Sequence, residues 1–404
     1  MAGASWEATS EWWWLEVPDG WEDPQRVLCP NCYQIWRLVI AGRNREKGEA
    51  LVAELGERTK YLAIDIEDES SLRSVLDDAD LVIHAAGPFQ RREKCSVLEA
   101  AIHSKVSYVD VCDDLQYAQR AKQLHAKAVA SNVSAIVSAG IYPGVSNIMA
   151  AELVRSAITG SADGSVSKPD RLRFSYFTAG SGGVGPTILA TSFLLLGEEV
   201  LAYSQGEQVK RRPYSSELLV DFGKGIGKRN VYLLNLPEVT SAFEVLGVPT
   251  VSARFGTAPE FWNWAMAAVA RFASKDFLAD RNKVATLVKL SDPWVRAVDG
   301  IVGERVSMRV DLECIDGKKA VGIYSHKKLS ICVGIATAAF ARAILEGSTQ
   351  AGVWFPEEDG ALDVPSRQKL LDRASQGAFN FLMNKPPWMV ETVAKEIGFG
   401  IFLQ

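Results

Sequence analysis

Short apolar runs alternate with helical stretches along the chain from Arg37 onward. The apolar runs are strand candidates, and they lie at Leu38–Ala41, Tyr61–Ile64, Leu81–Ala85, Tyr108–Val111 and Ala135–Ser138. Between them, apolar residues recur at the spacing of an amphipathic helix. Strands that alternate with helices at intervals of roughly 20–30 residues form parallel sheets covered by helices on both faces. The pattern therefore predicts an α/β domain with a Rossmann-type, doubly wound parallel sheet.

The pattern changes after residue 145. Strand candidates become longer and more alternating, at Leu172–Thr178, Ser307–Glu313 and Gly322–Ser325, which is typical of an antiparallel or mixed sheet. We therefore expect an α+β second domain. Helices predicted at Cys332–Leu345 and around Arg367–Phe381 are expected to return and cover the first domain.

Residues 1–36 fit neither pattern. Trp12, Trp13 and Trp14 stand among acidic residues, without helical or strand periodicity. The segment lacks the basic, serine-rich composition of a transit peptide and the apolar core of a secretory signal. We predict a poorly ordered extension.

Composition narrows the classes of partner and site. A formal net charge of −5 over 404 residues argues against nucleic acid as a bulk partner. No apolar run reaches the roughly 18 residues of a membrane span. The histidines are not clustered and the cysteines are scattered, so neither a metal site nor a disulfide framework is predicted.

Polar and small residues follow three successive strands, where open α/β sheets bind ligands. Arg43, Asn44 and Arg45 offer cationic and amide donors to a ribose 2′-phosphate. Asp65 and Ile66 could accept a hydrogen bond from an adenine and pack against it. The third strand is followed by small residues that let a ribose and a nicotinamide approach: Ala85, Ala86, Gly87 and Pro88. A basic loop alone is more often a solvated turn, but the three sets in register predict an NADP site.

A glycine-rich phosphate loop is missing from the position before Leu38. The spacing G-x-G-x-x-G occurs instead at Gly180, Gly182 and Gly185, ahead of a helix that Pro186 would start. No strand ending in an acidic residue follows, so we interpret this motif as a structural or substrate-side loop. The missing loop leaves two functions open, an oxidoreductase or a non-catalytic nucleotide-binding or scaffold protein.

Three aspartates follow the strand Tyr108–Val111. Asp110, Asp113 and Asp114 could cap the next helix or face a substrate, and Asp113 is the better functional candidate. His84 is expected to be a buried core residue. The Tyr-x-x-x-Lys pair of short-chain dehydrogenases does not occur, and no catalytic residue is assigned.

Several segments together resemble the saccharopine dehydrogenase-like family, especially its plant members. They are IAGRNREKGEAL, ADLVIHAAGPF, YVDVCDD and AGIYPGVSNIMAAEL. The resemblance implies an NADP-binding domain over residues 37–145, a substrate and dimerisation domain over 146–330, and helices in 331–404 that pack back on the first domain. It also implies reversible hydride transfer at a C–N bond of amino-acid conjugates.

The resemblance also implies site residues, partners and a location. NADP contacts would map onto Arg43, Asn44, Arg45, Asp65 and Ala85 to Phe89. The domain junction near the nicotinamide would be lined by Tyr142, Pro143, Gly144 and Asn147. A small-molecule substrate, a homodimer and a plastid location are implied, with a cytoplasmic location as the alternative because no transit signature is visible.

The N-terminus departs from the family pattern. Relatives begin with a strand and a glycine-rich turn before the segment GRNR, whereas this chain has EWWWLEVPDGWEDPQRVLCPN there. The first strand of the sheet is therefore expected to be missing or replaced. A stretch such as Trp13–Val17 in that slot would leave room for a remnant cofactor site.

Overall fold

The computed structural model describes residues 12–16, 37–86, 92–160, 166–180, 186–392, 395–396 and 402–403. Of residues 12–16, 186–188, 292–302, 395–396 and 402–403 only the backbone is described. Among the described residues, no helix combines the length and the apolar character that a membrane crossing requires.

The strands and helices are numbered along the chain. The strands are β1 Trp12–Glu16, β2 Arg37–Gly42, β3 Thr59–Ala63, β4 Leu81–His84, β5 Ser107–Asp110, β6 Ser134–Ile136, β7 Pro169–Ala179, β8 Val200–Ser204, β9 Glu207–Arg211, β10 Leu218–Asp221, β11 Lys228–Leu233, β12 Thr250–Ala258, β13 Arg305–Cys314, β14 Lys319–His326, β15 Gly352–Trp354, β16 Asn380–Lys385, β17 Lys395–Glu396 and β18 Phe402–Leu403. The helices are α1 Arg45–Leu55, α2 Glu69–Leu76, α3 Ser96–Ser104, α4 Leu115–Lys122, α5 His125–Ala130, α6 Val145–Thr159, α7 Pro186–Leu196, α8 Pro237–Leu246, α9 Glu260–Phe272, α10 Lys275–Ala279, α11 Arg281–Val302, α12 Leu329–Leu345 and α13 Val364–Ala374.

The first sheet is parallel throughout, in the order β15-β6-β5-β4-β1-β2-β3. From β1 the chain winds outward through β2 and β3, and β4, β5 and β6 then extend the sheet on the other side. This is the Rossmann-type strand order, with its topological switch point between β1 and β4. The prediction of a doubly wound parallel sheet is confirmed.

The central strand comes from the tryptophan-rich segment. Trp12 pairs with Arg37 of β2 and Trp13 pairs with Leu81 of β4, both in parallel register. The expected first strand is thus replaced by β1, and the chain at 12–16 is strand rather than irregular extension. Without it, β2 and β4 would each present unpaired backbone groups inside the sheet. The rest of residues 1–36 lies outside the described residues.

The second sheet is mixed, as predicted. Its main path is β10-β11-β12-β7-β13-β14-β16, and β8 joins β12 to β9. The pair β12–β7 is parallel, whereas β7–β13 and β13–β14 are antiparallel. The eleven-residue strand β7 lies at the centre of this sheet.

The C-terminal segment divides between the two sheets. Helix α12 packs against β4, β5 and β6, and β15 extends the first sheet beyond β6. The helix expected around Arg367–Phe381 is wrong beyond Ala374. Gly377 takes a positive φ of 77°, and Phe381 then pairs with Tyr324 in β16 of the second sheet. Phe381 pairs with the edge of β14 as part of a strand, although the local sequence pattern predicts a helix there.

Helix α6 joins the two domains. Residues 145–154 of this helix are all buried, and one apolar core runs from Ile40 and Val109 of the first sheet to Phe174 and Met308 of the second. The carboxyl ends of the first sheet therefore face the second domain across a packed junction.

Candidate active site at the carboxyl ends of the parallel strands

The end of β2 gathers cations around the N-terminus of α1. Asn44 caps this helix, since its Oδ1 accepts the backbone N–H of Lys47 at 3.0 Å. Arg43 is exposed, and Arg45 pairs with Glu49 at 2.7 Å on the helix surface. A helix N-terminus beside guanidinium and ammonium groups suits a phosphate dianion. The three residues expected to meet the 2′-phosphate thus lie together.

The end of β3 lies beside this group. Asp65 is exposed, and its Oδ1 accepts the backbone N–H of Glu67 at 3.0 Å, which shapes the turn. Ile66 is buried. The Tyr61 hydroxyl donates to the carbonyl oxygen of Gly42 at 2.6 Å, tying the β3 strand to the end of β2.

The end of β4 provides the small residues of the expected nicotinamide side. Ala85 and Ala86 are both buried directly after the strand. Gly87, Pro88 and Phe89 lie outside the described residues. The backbone after β4 can therefore approach a ligand closely at the two alanines.

A buried hydrogen-bond chain holds three strand ends together. His84 Nδ1 lies 2.9 Å from the Tyr108 hydroxyl, which donates to Asp110 Oδ2 at 2.9 Å. Asp110 Oδ1 accepts the backbone N–H groups of Cys112 and Ser138 at 3.0 and 2.7 Å. Burial lowers the pKa of His84 to about 3 and raises the pKa of Asp110 to about 6. His84 is a neutral core residue, as predicted, and the chain fixes the edge on which a cofactor would rest.

The sequence left it open whether Asp113 and Asp114 cap the next helix or face a substrate, and the structure places the two residues differently. Asp114 caps α4, accepting the backbone N–H groups of Gln116 and Tyr117 at 2.7 and 3.1 Å. Asp113 is half-buried and lines a cavity between the domains.

This cavity has a volume of about 170 Å³. First-domain loops contribute Asp113 and Gly140 to Pro143, the second domain contributes α7, β12 and the chain before α8, and the first turn of α12 closes it with Leu329 and Ser330. Thr191 and Ser192 of α7 also line it. Of the glycine motif ahead of α7, Gly180 has a φ of +69°, and Gly182 and Gly185 lie outside the described residues.

The loop at 140–144 places Tyr142 in the cavity wall. Gly144 has a φ of +130°, and a Cβ there would lie 2.1 Å from the carbonyl oxygen of Gly140, so only glycine fits. Pro143 follows Tyr142 through a cis peptide bond and also lines the cavity. Tyr142 stacks on Tyr176 of β7. Three of the four residues expected at the domain junction thus form this loop.

Asn147 lies behind the loop rather than in the cavity wall. Its side chain is buried, accepts the Gly144 N–H at 2.9 Å and donates to Glu357 Oε1 at 2.9 Å and to Ser241 Oγ at 3.2 Å. Asn147 braces the loop, because its amide is held by three separate chain segments, and its place beside the nicotinamide stays a prediction.

Sequence reasoning missed two buried acids at this junction, Glu238 and Glu357. Burial raises the pKa of Glu238 to about 7, and the Tyr176 hydroxyl beside it offsets part of that rise. Burial also raises the pKa of Glu357. The signal in the sequence was a carboxylate within an apolar run, LLNLPEVTSAF. Within the described part of the chain, no three His, Cys, Asp or Glu side chains are placed to share a metal ion.

Comparisons with known proteins agree with this architecture. Residues 28–137 match the family model of the saccharopine dehydrogenase NADP binding domain. Apo histidine-tagged saccharopine dehydrogenase (L-Glu forming) from Saccharomyces cerevisiae superimposes with a TM-score of 0.63 at 14% identity, over 93% of this chain and 99% of that chain. Comparison with curated proteins gives no match.

A weaker structural likeness is to GenD2 from gentamicin A biosynthesis in complex with NAD. Its TM-score is 0.41 at 13% identity, over 94% of this chain and 99% of that chain, and it carries no part of the argument. Residues 28–137 thus match the saccharopine dehydrogenase NADP binding domain, and the chain as a whole shares its fold with the yeast enzyme.

Proposed function

We propose that this protein is an NADP-dependent oxidoreductase that transfers hydride at a C–N bond of a small molecule. The observation that carries the proposal is one shared edge of the first sheet. There, the cations at the end of β2 and the alanines at the end of β4 flank the switch point of the strand order, and the cavity adjoins the ends of β5 and β6. Ligands of open α/β sheets bind at this place. The bond class comes from the family resemblance.

The residues present fit the adenosine end of NADP. Arg43 and Lys47 would meet the 2′-phosphate at the N-terminus of α1, and the buried Ala85 and Ala86 leave the backbone open to a ribose. When bound, the cofactor supplies or accepts the hydride. The chain supplies position, exclusion of water and the polar groups of the cavity.

A binding titration tests the cofactor half of the proposal. NADPH should quench the fluorescence of a chain with 11 tryptophans. Arg43→Glu should raise the Kd for NADPH about tenfold or more, since a charge-assisted phosphate contact becomes a repulsion, and should leave the Kd for NADH nearly unchanged. Lys127→Glu, an exposed cation on α5, is the matched control. Equal affinity of R43E and wild type for NADPH would contradict the assignment of this end of the site.

A second candidate is a nucleotide-binding protein without turnover. The sequence between β1 and β2 contains Gly20 as its only glycine, so the usual pyrophosphate loop is replaced by another sequence. This candidate predicts NADPH binding with no oxidation of bound NADPH by any imine. The oxidoreductase predicts both binding and turnover.

We also propose a homodimer in a plastid, both by family resemblance. Helix α9 exposes Phe261, Trp264 and Phe272, at 47%, 66% and 81% of their surfaces, on a face that a second copy could cover. Light scattering of wild type and Trp264→Glu tests the dimer, which the variant should shift toward monomer. Import of the full-length precursor into isolated plastids tests the location.

A further inference from the structure

One part of the cavity wall is acidic. Asp113 lines it, and its carboxylate interacts electrostatically with the buried Glu238. Among the described residues that line the cavity there is no lysine, arginine or histidine. Opposite charge within a few ångströms is favourable where water is excluded, so this wall suits a cationic nitrogen.

Another part of the cavity wall offers hydrogen-bond donors. The first turn of α12 lines the cavity with Leu329 and Ser330, and no side chain caps that helix end at Lys328. Ser330 is only 3% exposed, and its Oγ has no hydrogen-bond partner among the described residues. Free backbone N–H groups at a helix N-terminus carry partial positive charge. Together with these N–H groups, the unpartnered hydroxyl of Ser330 provides hydrogen-bond donors for one carboxylate.

The cavity is small, and the rest of its lining is mostly apolar. Leu234, Leu236 and Phe255 line it. Its volume of about 170 Å³ is below the roughly 300–1,000 Å³ of sites for drug-sized ligands. A compact aliphatic body fits, whereas additional carboxylates would be buried without a partner.

We propose that the cavity binds a compact amino acid with one carboxylate, or the corresponding imino acid, rather than a conjugate with several carboxylates. The nitrogen of the ligand pairs with the carboxylate of Asp113, and the carboxylate of the ligand accepts hydrogen bonds from Ser330 and the first turn of α12. The reaction part of this inference rests on the proposed function. In oxidation, the ammonium nitrogen gives one proton to Asp113, and its lone pair forms the C=N bond. The adjacent C–H bond breaks, and the hydride passes to NADP⁺, leaving an iminium ion and NADPH.

Binding of two probes, measured without reference to turnover, tests the placement. L-pipecolate has a ring nitrogen and one carboxylate, and piperidine has the same ring without the carboxylate. L-pipecolate should raise the Tm of the protein more than piperidine does. Ser330→Ala should weaken L-pipecolate binding about tenfold, as expected for a lost hydrogen bond to a charged group, and leave piperidine unchanged. Asp113→Asn should weaken both, and Ser204→Ala, at an exposed serine of β8 outside the cavity wall, should weaken neither.

The outcomes separate this inference from the proposed function. Tighter binding of saccharopine than of L-pipecolate would overturn the inference about the ligand. The proposed function would still stand if the protein bound and oxidised NADPH. An equal effect of S330A on both probes would overturn the carboxylate placement. Binding of L-pipecolate in the predicted pattern, by a protein that does not bind NADPH, would uphold the placement and overturn the proposed function.

Discussion

The rings of Tyr142 and Tyr176 stack with their centroids 4.6 Å apart and their planes inclined by 23°. Tyr142 belongs to the loop after β6, and Tyr176 lies in the central strand of the second sheet. This contact is therefore a direct link between the two domains. It also fixes the wall of the cavity, because Tyr142 lines the cavity while its ring rests on Tyr176.

Loss of this stack should destabilise the junction. We expect Tyr142→Ala to lower the free energy of unfolding by about 3 kcal/mol, from lost burial and lost ring stacking. Tyr142→Phe keeps the ring and should change stability by less than about 1 kcal/mol. Urea denaturation measures both values. Equal losses for the two variants would show that the hydroxyl, and not the stack, holds the loop.

The stability of the protein should depend on pH through Glu238. Its pKa in the folded protein is raised to about 7 from an ordinary value of 4.5, because burial disfavours the charged carboxylate. The folded state thus holds the proton more tightly than the unfolded chain. The stability that the protonated Glu238 gives the folded state is fully present below the ordinary pKa of 4.5, and it is lost as the pH rises through about 7.

Glu238→Gln should remove that pH dependence. Relative to wild type, the variant should gain on the order of 3 kcal/mol between the acid end of this range and about pH 8. Denaturation at a series of pH values measures the difference. Glu244→Gln, an exposed acid on the same helix, is the control and should follow wild type. Parallel curves for E238Q and wild type would mean that Glu238 ionises in the folded protein as it does in water.

Gly144 should be irreplaceable in the loop that holds Tyr142. Gly144→Ala brings a Cβ to 2.1 Å from a backbone oxygen at a φ of +130°, so the loop must move, and we expect a loss of about 3 kcal/mol or more. Gly247→Ala has a φ of +65° with open space around the new Cβ, and should cost only about 1–2 kcal/mol. Thermal unfolding compares the two. Similar losses would show that the loop relaxes around a side chain.

Much of the first domain follows from local sequence. Apolar runs such as Leu81–Ala85 and the helices between them predict the parallel sheet, because each strand ends where polar or small residues begin. The alignment of Arg43 and Ala85 along one sheet edge also follows, since parallel strands end on the same side. Strand β1 did not follow, because its tryptophans among acids show no strand alternation. Its place is set by the unfilled slot between β2 and β4.

The junction could not be predicted from local sequence. Asn147 donates to Glu357, which lies 210 positions further along the chain. Ser330 and Asp113 line the same cavity only because α12 returns to the first sheet. Contacts of this kind depend on the tertiary arrangement of whole domains. The end of α13 was missed for the same reason, since Phe381 is drawn into a strand by the edge of β14.

The position of β1 in the sequence determines the shortest fragment of this protein that is expected to fold. The matched family domain begins at residue 28, whereas the strand at the middle of its sheet lies at Trp12–Glu16. A fragment cut to residues 28–137 would keep β2 and β4 but leave two facing rows of unpaired backbone groups. Such edges recruit strands from other molecules, so the excised domain is expected to exchange strands or precipitate, and the tryptophan-rich segment must accompany any fragment meant to stand alone.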